Sequence, residues 1–294
     1  MYEPIWHRPT TIGEVLAILD VERDRARVIA GGTDLVPAIR SGADAPPVLV
    51  DLGRVEEMRY LRDDGQGTGA EDAVVRTEVG AMVTHAALAG RGSPSPAMTL
   101  LSAACGKVGG PQIRARGTVG GNIANASPAA DAVTALLALD ASVVLTSRTA
   151  GMREVPLETF LLGPGTTALA PEELVLGAVF ERPESGASAV YLKEGQRNAM
   201  AIAVASVALV LDRARGRLRI SLGSVAPTQV RAREAEALFE SNWHETKDRG
   251  GLVAAVAEAA VDATRPIDDV RASAEYRRTL VQVMVRRALT EAWR

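Results

Sequence analysis

The sequence predicts an α+β protein built in two parts, and three observations carry that reading. A strand–helix–strand order occupies residues 1–55, which argues for a small α/β unit. The composition loosens around residues 182–188 (RPESGAS), and beyond that point strand signals come first and helical signals follow. A chain of 294 residues is long enough for two domains at roughly 100–200 residues each. We therefore expect one domain over residues 1–182, with subdomains at about 1–55 and 56–182. A second α+β domain, a small antiparallel sheet with helices, is expected over 188–292.

The first helix signal is Thr11-Ile12-Gly13-Glu14, where Thr11 caps and Glu14 answers it as a capping box. Val15, Leu16, Ile18 and Leu19 supply its apolar stripe. Arg27–Ala30 reads as a short buried strand that runs into Gly31-Gly32-Thr33-Asp34, and a helix follows through Leu35, Val36 and Ile39. Val48–Leu52 is the next strand. Residues 61–72 (LRDDGQGTGAED) are polar and glycine-rich and read as an exposed loop. Strand signals resume at Ala73–Ala81, a helical segment lies around Leu100–Val108, and the stretch 106–122 is dense in glycine. A helix is expected from Asp131 to Leu139, then strands at Ser142–Thr146 and Leu174–Phe180. In the second part, strands are expected at Ala189–Leu192, Ile202–Leu211 and Leu218–Val225, with Asp212–Gly216 as the turn between the last two. Helices then run to the end, the last one starting after Ser273 with Tyr276, Leu280, Val283 and Met284 at helical spacing.

Composition excludes several functions. Apolar residues make up 47% and charged residues 23%, close to ordinary globular usage, so extensive disorder is excluded. The net charge of −3, from 33 basic and 36 acidic side chains, lacks the positive excess of a nucleic-acid binder. With 3 Phe, 4 Tyr and 3 Trp there is no base-stacking surface either. Cys105 is the single cysteine, which rules out an internal disulfide and an iron–sulfur cluster held by this chain's own thiolates. His7, His85 and His244 are scattered, so no metal site is expected and the three are read as structural. The N-terminus lacks the apolar region of a signal peptide, and the longest apolar run, Ala199–Leu211, is too short to span a bilayer. These features predict a cytoplasmic protein without a membrane span.

Two segments carry most of the chemistry: Ala30-Gly31-Gly32-Thr33-Asp34-Leu35, and Arg116-Gly117-Thr118-Val119-Gly120-Gly121-Asn122. Paired glycines let backbone N–H groups approach a ligand without a Cβ in the way. Successive N–H groups in such turns form an anion-binding concavity, and a following helix adds its dipole. Threonine and asparagine side chains add directed hydrogen bonds. Together this is chemistry for a pyrophosphate, although a strand–GG–helix junction by itself is more often just a tight turn. Neither loop has the Walker A spacing or a GxGxxG after a strand, so a P-loop and a Rossmann fingerprint are both disfavoured.

The stretch AGGTDLVPAIR, followed by GGPQIRARGTVGGNIANASPAADAVTALLAL, closely resembles the FAD-binding medium subunit of molybdenum hydroxylases, the carbon monoxide dehydrogenase and xanthine dehydrogenase family. YLKEGQRNAMAIAVAS, LGSVAPTQVRAREAEALF and DDVRASAEYRRTLVQVMVRRAL resemble the C-terminal domain of the same family, so the likeness covers about residues 1–292. It implies a two-part FAD-binding domain of the PCMH / carbon monoxide dehydrogenase flavoprotein type, followed by that family's C-terminal domain. By this resemblance Ala30, Gly31, Gly32, Thr33 and Asp34 form the first pyrophosphate loop, and Thr118, Val119, Gly120, Gly121 and Asn122 the second. Asp131 matches the acidic residue that closes the SPxxD segment on the cofactor, and Lys193 matches a lysine at the flavin. Val28, Ile29, Val108 and Val175 match positions that line the cofactor, and Arg197 aligns with a basic residue near the flavin ring. Arg114 and Arg116 are candidates to offset diphosphate charge. One departure is the run Asn198–Ile202, which lacks the carboxylate that family members often carry before the Ile-Ala pair.

The resemblance implies an electron-transfer subunit that takes electrons from a small two-iron two-sulfur subunit and passes them through FAD to quinone, NAD or oxygen. Substrate oxidation and the molybdenum cofactor belong to a large partner subunit, so no catalytic acid or base is expected in this chain. FAD has roughly fifty non-hydrogen atoms, and at about −0.3 kcal/mol each the binding ceiling is near −15 kcal/mol, ample for non-covalent retention. The alternative is a free-standing FAD-dependent oxidase or reductase of the same fold, which would need its own proton donor in a substrate pocket.

Overall fold

The computed structural model describes residues 4–63, 76–91, 95–183, 186–244 and 246–294. Most of the polar loop expected at 61–72 and two residues of the loosened segment at 182–188 lie outside these. The small N-terminal unit is a three-stranded parallel sheet in the order β1 (Ile5–His7), β3 (Val48–Asp51), β2 (Ala26–Ile29). Helix α1 (Ile12–Glu22) and the short α2 (Leu35–Arg40) connect these strands. Thr11 caps α1 by accepting from the Glu14 N–H at 3.2 Å. The reciprocal half of the expected capping box is displaced by one residue, because the Glu14 carboxylate accepts from the N–H of Thr10 at 2.7 Å instead of from Thr11.

The next unit is a five-stranded antiparallel sheet in the order β4 (Leu61–Asp63), β5 (Arg76–Gly80), β10 (Leu174–Glu181), β6 (Ser142–Ser147), β7 (Gly151–Pro156). Between β5 and β6 run α3 (His85–Leu88), α4 (Pro96–Gly106), α5 (Pro111–Arg116), α6 (Val119–Asn125) and α7 (Asp131–Ala138). A short α8 (Leu157–Phe160) and the ribbon β8 (Leu161–Gly163) with β9 (Thr166–Thr167) complete it. The glycine-dense stretch 106–122 thus holds two short helices that periodicity could not show, since six or seven residues make too few turns. Strand β7 also escaped the pattern. It is an edge strand, mostly exposed, and carries no apolar alternation.

The C-terminal sheet has the order β11 (Ser188–Gly195), β12 (Ala203–Asp212), β13 (Arg217–Gly223), β14 (Val230–Arg231), all antiparallel. Helices α9 (Arg233–Asn242), α10 (Arg249–Asp262) and α11 (Ala274–Ala292) cover one face. Helices α4 and α7 of the preceding unit cover the other. This explains why β12 reads as a continuous apolar run: all ten of its residues are buried. Strand alternation sends Val207, Leu209 and Leu211 into the core under α9–α11, and Ala208 and Val210 into the core shared with α7.

Helix α7 is buried along its entire length and is fastened at both ends. At its C-terminus a Schellman motif forms, with Ala141 N–H donating to Leu136 O and Asp140 N–H to Leu137 O. Asp140 takes the left-handed position (φ 51°) where glycine is usual. Its carboxylate is what the position requires. One oxygen meets Arg219 Nε at 2.5 Å, and the other meets Nη1 of Arg231. Arg231 is also paired bidentately with the buried Glu236 at 2.7 and 2.8 Å. Replacing Arg231 by alanine strands that carboxylate, so Arg231→Ala is expected to cost about 3–5 kcal/mol in chemical denaturation. Arg76→Ala, which breaks an exposed pair with Glu154, is expected to cost less than about 1 kcal/mol.

Candidate functional site

The two glycine loops meet backbone to backbone. A Cβ placed on Gly31 would lie 2.0 Å from the carbonyl oxygen of Arg116 and 2.5 Å from its carbonyl carbon. No flexible side chain is there to move aside, so the contact requires glycine. Asn125 Nδ2 donates to Asp34 Oδ1 at 3.3 Å across the same seam. Ala30–Asp34 and Thr118–Asn122 are thereby brought together.

The loops play different parts. In the first, Gly32 has φ 72°, and the N–H groups of Gly31, Gly32, Thr33 and Asp34 donate to no acceptor among the described residues. They are free for an anionic ligand. In the second, every N–H from Val119 to Asn122 is committed. Val119 donates to Val83 O, Gly120 to Ala81 O, Gly121 to Thr118 Oγ1 and Asn122 to Thr118 O. The expectation that both loops offer amides is corrected accordingly: the second is a closed platform whose Thr118 hydroxyl is spent on capping α6. What it offers is a side chain. Asn122 Oδ1 is buried and has no partner among the described residues, an arrangement a hydrogen-bonding ligand resolves. Gly120 packs directly on Ala81, whose Cβ lies 2.3 Å from where a Gly120 Cβ would stand.

From the second loop, α5 leads back about 9 Å, at 1.5 Å per residue, to the turn Lys107–Gly110. Arg114 Nη1 donates to the carbonyls of Val108 and Gly109, both at 3.0 Å, so it braces this turn and does not stand free to meet a diphosphate. Arg116 is exposed, and its carbonyl is the one Gly31 packs against. Val108 is half-buried on the turn. Lys193, on β11, donates to Lys107 O at 2.9 Å and to Asp131 Oδ2 at 2.7 Å. Asp131 opens α7, and its other oxygen accepts from Tyr191 Oη at 2.6 Å. Asp131 therefore has both oxygens engaged by protein. Burial raises its pKa, and Lys193 and Tyr191 act against that.

Val175 does not join this cluster. It lies in the core at a bulge of β10, next to Leu176, whose carbonyl holds Ala81 beneath Gly120. Val28 and Ile29 are half-buried at the end of β2, immediately before the first loop. Arg197 turns back onto Met200 O at 2.7 Å and closes an exposed loop in which Met200 has φ 55°. Tyr191 was not read from the sequence. Its signal was available, since Tyr191 and Lys193 are two apart on one strand and share a face. His85 also lies under the loops, 3.5 Å from Cys105 Sγ and against Gly117. Burial, reinforced by the Arg114 charge, pulls it down to about 4, and burial pushes the Cys105 thiol well up.

Comparison with known proteins was made on this geometry. Residues 1–183 match the family described as FAD binding domain in molybdopterin dehydrogenase, and residues 190–292 match the CO dehydrogenase flavoprotein C-terminal domain. The chain is 32% identical over 285 residues to 6-hydroxypseudooxynicotine dehydrogenase complex subunit alpha of Paenarthrobacter nicotinovorans, covering 96% of this chain and 92% of that one. It is 31% identical over 291 residues to the carbon monoxide dehydrogenase medium chain of Hydrogenophaga pseudoflava, covering 98% and 96%. Among solved structures, the carbon monoxide dehydrogenase from Hydrogenophaga pseudoflava that lacks the Mo-pyranopterin moiety aligns with a TM-score of 0.88 at 30% identity, over 100% of this chain and 98% of that one. Quinoline 2-oxidoreductase from Pseudomonas putida 86 aligns with a TM-score of 0.85 at 26% identity, over 99% and 96%.

Two outcomes follow from the site's geometry. Gly31→Ala places a methyl inside a carbonyl and is expected to separate the loops, with loss of ligand retention measurable by equilibrium dialysis. His85 has a folded pKa of about 4, below its ordinary 6.5, so its contribution to stability is full above about 6.5 and is lost as pH falls toward about 4. Thermal melts between pH 7 and 5 are expected to show a steeper acid loss for wild type than for His85→Gln.

Proposed function

The chain belongs to the family of FAD-binding medium subunits of molybdenum hydroxylases, and from that premise we propose that it holds FAD non-covalently across the paired glycine loops and passes electrons from an iron–sulfur subunit to an external acceptor. The observation that carries the proposal is the pairing itself: the amides of Gly31 to Asp34 lie beside the buried Asn122 Oδ1, and none of them has a partner among the described residues. FAD accepts and releases one or two electrons, which suits it to join a one-electron cluster to a two-electron acceptor.

This chain's residues bind and orient. The amides of Gly31, Gly32, Thr33 and Asp34 receive the diphosphate charge. Thr118, Val119, Gly120 and Gly121 supply the platform on which the diphosphate lies, and Asn122 supplies the side-chain hydrogen bond. Val28 and Ile29, just before the first loop, and Val108, on the turn, are the proposed apolar lining, while Val175 stands in the core behind the platform. Lys193 sets a positive charge at the other end of α5, held by Asp131. The large molybdenum-cofactor subunit and the small two-iron two-sulfur subunit are the proposed partners, with quinone, NAD or oxygen as acceptor. Two observations support this division of labour: relatives are named as medium chains and complex subunits, and one cysteine cannot ligate a cluster. Among the described residues no helix is long and apolar enough to cross a membrane, which agrees with a proposed cytoplasmic location.

The purified chain, or the complex co-expressed with its partners, is expected to show a flavin spectrum and to release FAD on acid precipitation. Gly121→Val adds bulk against the Thr118 hydroxyl, 3.0 Å from the Cβ position, and is expected to lower flavin content roughly tenfold or more. Wild-type flavin content in that variant refutes the loop assignment.

A further inference from the structure

Tyr191 and Lys193 reach across from the C-terminal sheet and grip one carboxylate, Asp131, from two sides. All three side chains are buried, with Lys193 and Asp131 at 8% and 5% exposure. Burying an ion pair gives little stability over an apolar packing of the same volume, so its presence calls for another role. Behind Tyr191 the Ser206 hydroxyl lies 3.5 Å from Thr134 Oγ1, and Thr134 donates to Ala130 O at 3.1 Å, so the first turn of α7 is tied to the C-terminal sheet beside Asp131.

The consequence appears at the Lys107–Gly110 turn. Lys193 holds the Lys107 carbonyl, and Arg114 holds those of Val108 and Gly109. In a planar trans peptide the N–H points opposite to the preceding carbonyl. Drawing the carbonyls of Val108 and Gly109 toward Arg114 therefore aims the N–H groups of Gly109 and Gly110 the other way, and neither donates to an acceptor among the described residues. The orientation of this turn depends on two cations, and one of them is positioned by Asp131 and Tyr191.

We propose that Tyr191 is a positioning residue for the cofactor site: its hydroxyl fixes Asp131, Asp131 fixes the Lys193 ammonium, and Lys193 sets the Lys107–Gly110 turn. This rests on reading the paired glycine loops as the FAD site. The C-terminal sheet thereby controls how well the preceding unit holds its cofactor, although Tyr191 itself stands behind Asp131 and does not meet the ligand.

The test is a double-mutant cycle on the co-expressed complex, measuring the FAD Kd and its pH dependence for Tyr191→Phe, Lys193→Met and the double variant. Tyr191→Phe keeps the ring and removes one hydrogen bond to a charged group, so a rise of about tenfold in Kd is expected. Because the two residues act through one carboxylate, the double variant is expected to lose no more than Lys193→Met alone. The groups facing Asp131 are Tyr191 and Lys193 from β11, Cys105 from α4 and Lys107 from the turn that follows α4. Removing the Tyr191 donor disfavours the ionised carboxylate, so acid-induced FAD release is expected to begin at higher pH in Tyr191→Phe than in wild type. A ring that only packs would shift Kd equally at every pH and add to Lys193→Met, and either result overturns the proposal, as does an unchanged Kd. Gly121→Val serves as the reference. If it loses FAD while Tyr191→Phe behaves as wild type, the positioning role fails and the FAD site stands. If Gly121→Val keeps FAD, the site assignment fails and the positioning role with it.

Discussion

The complete burial of α7 between the C-terminal sheet and helices α4, α6 and α8 is the constraint on which the rest of the structure depends. A helix hidden on all sides must be apolar along its length, and α7 contains only Asp131 and Thr134 as polar residues. Val133, Leu136 and Leu137, fully or almost fully buried, contribute about 1.5–3 kcal/mol each by leaving water. Apolar packing has little directional content, however, and would let the helix slide or turn. Two carboxylates remove that freedom. Asp131 at the front is held by Tyr191 and Lys193, and Asp140, just behind, is held by Arg219 and Arg231. Every one of those partners comes from the C-terminal sheet.

The same seam carries the site. Gln229 donates to the carbonyls of Ser127 and Pro128 at 2.9 and 3.1 Å, so the chain between α6 and α7 is also held by the C-terminal part. The second glycine loop, α6, that connection and α7 then form one continuous path from the proposed diphosphate platform to Asp131. Gly223 shows how tight the fit is. A Cβ there would lie 2.4 Å from Ser206 Oγ and 2.5 Å from Thr134 Oγ1. The Ser206–Thr134 contact fits there because that position has no side chain.

The first loop is built on the opposite principle. It is attached to a small parallel sheet and meets the second loop through backbone, at Gly31 and Arg116, and through Asn125 to Asp34. Its amides are left open where those of the second loop are closed. A long anionic cofactor suits this arrangement, because one wall is rigid and already satisfied while the other wall still has donors to give.

Much of this was legible in the chain itself. The two-part division, the buried strand read at Ile202–Leu211 and found at Ala203–Asp212, the helix starting at Asp131 and both glycine loops follow from periodicity, composition and turn chemistry, which are local properties. A single cysteine was enough to exclude a cluster held by this chain's own thiolates. Tertiary structure decided the rest. Only contact between distant segments determines which amides are satisfied, so the contrast between an open first loop and a closed second one could not be read from two similar glycine pairs. Nor could the placing of Arg114 on Val108 and Gly109, the removal of Val175 into the core, or the convergence of Tyr191, Asp131 and Lys193. A charged side chain looks the same in sequence whether it meets solvent, ligand or a buried partner. The choice is made by desolvation and hydrogen-bond geometry, and those exist only once the C-terminal sheet has closed over α7.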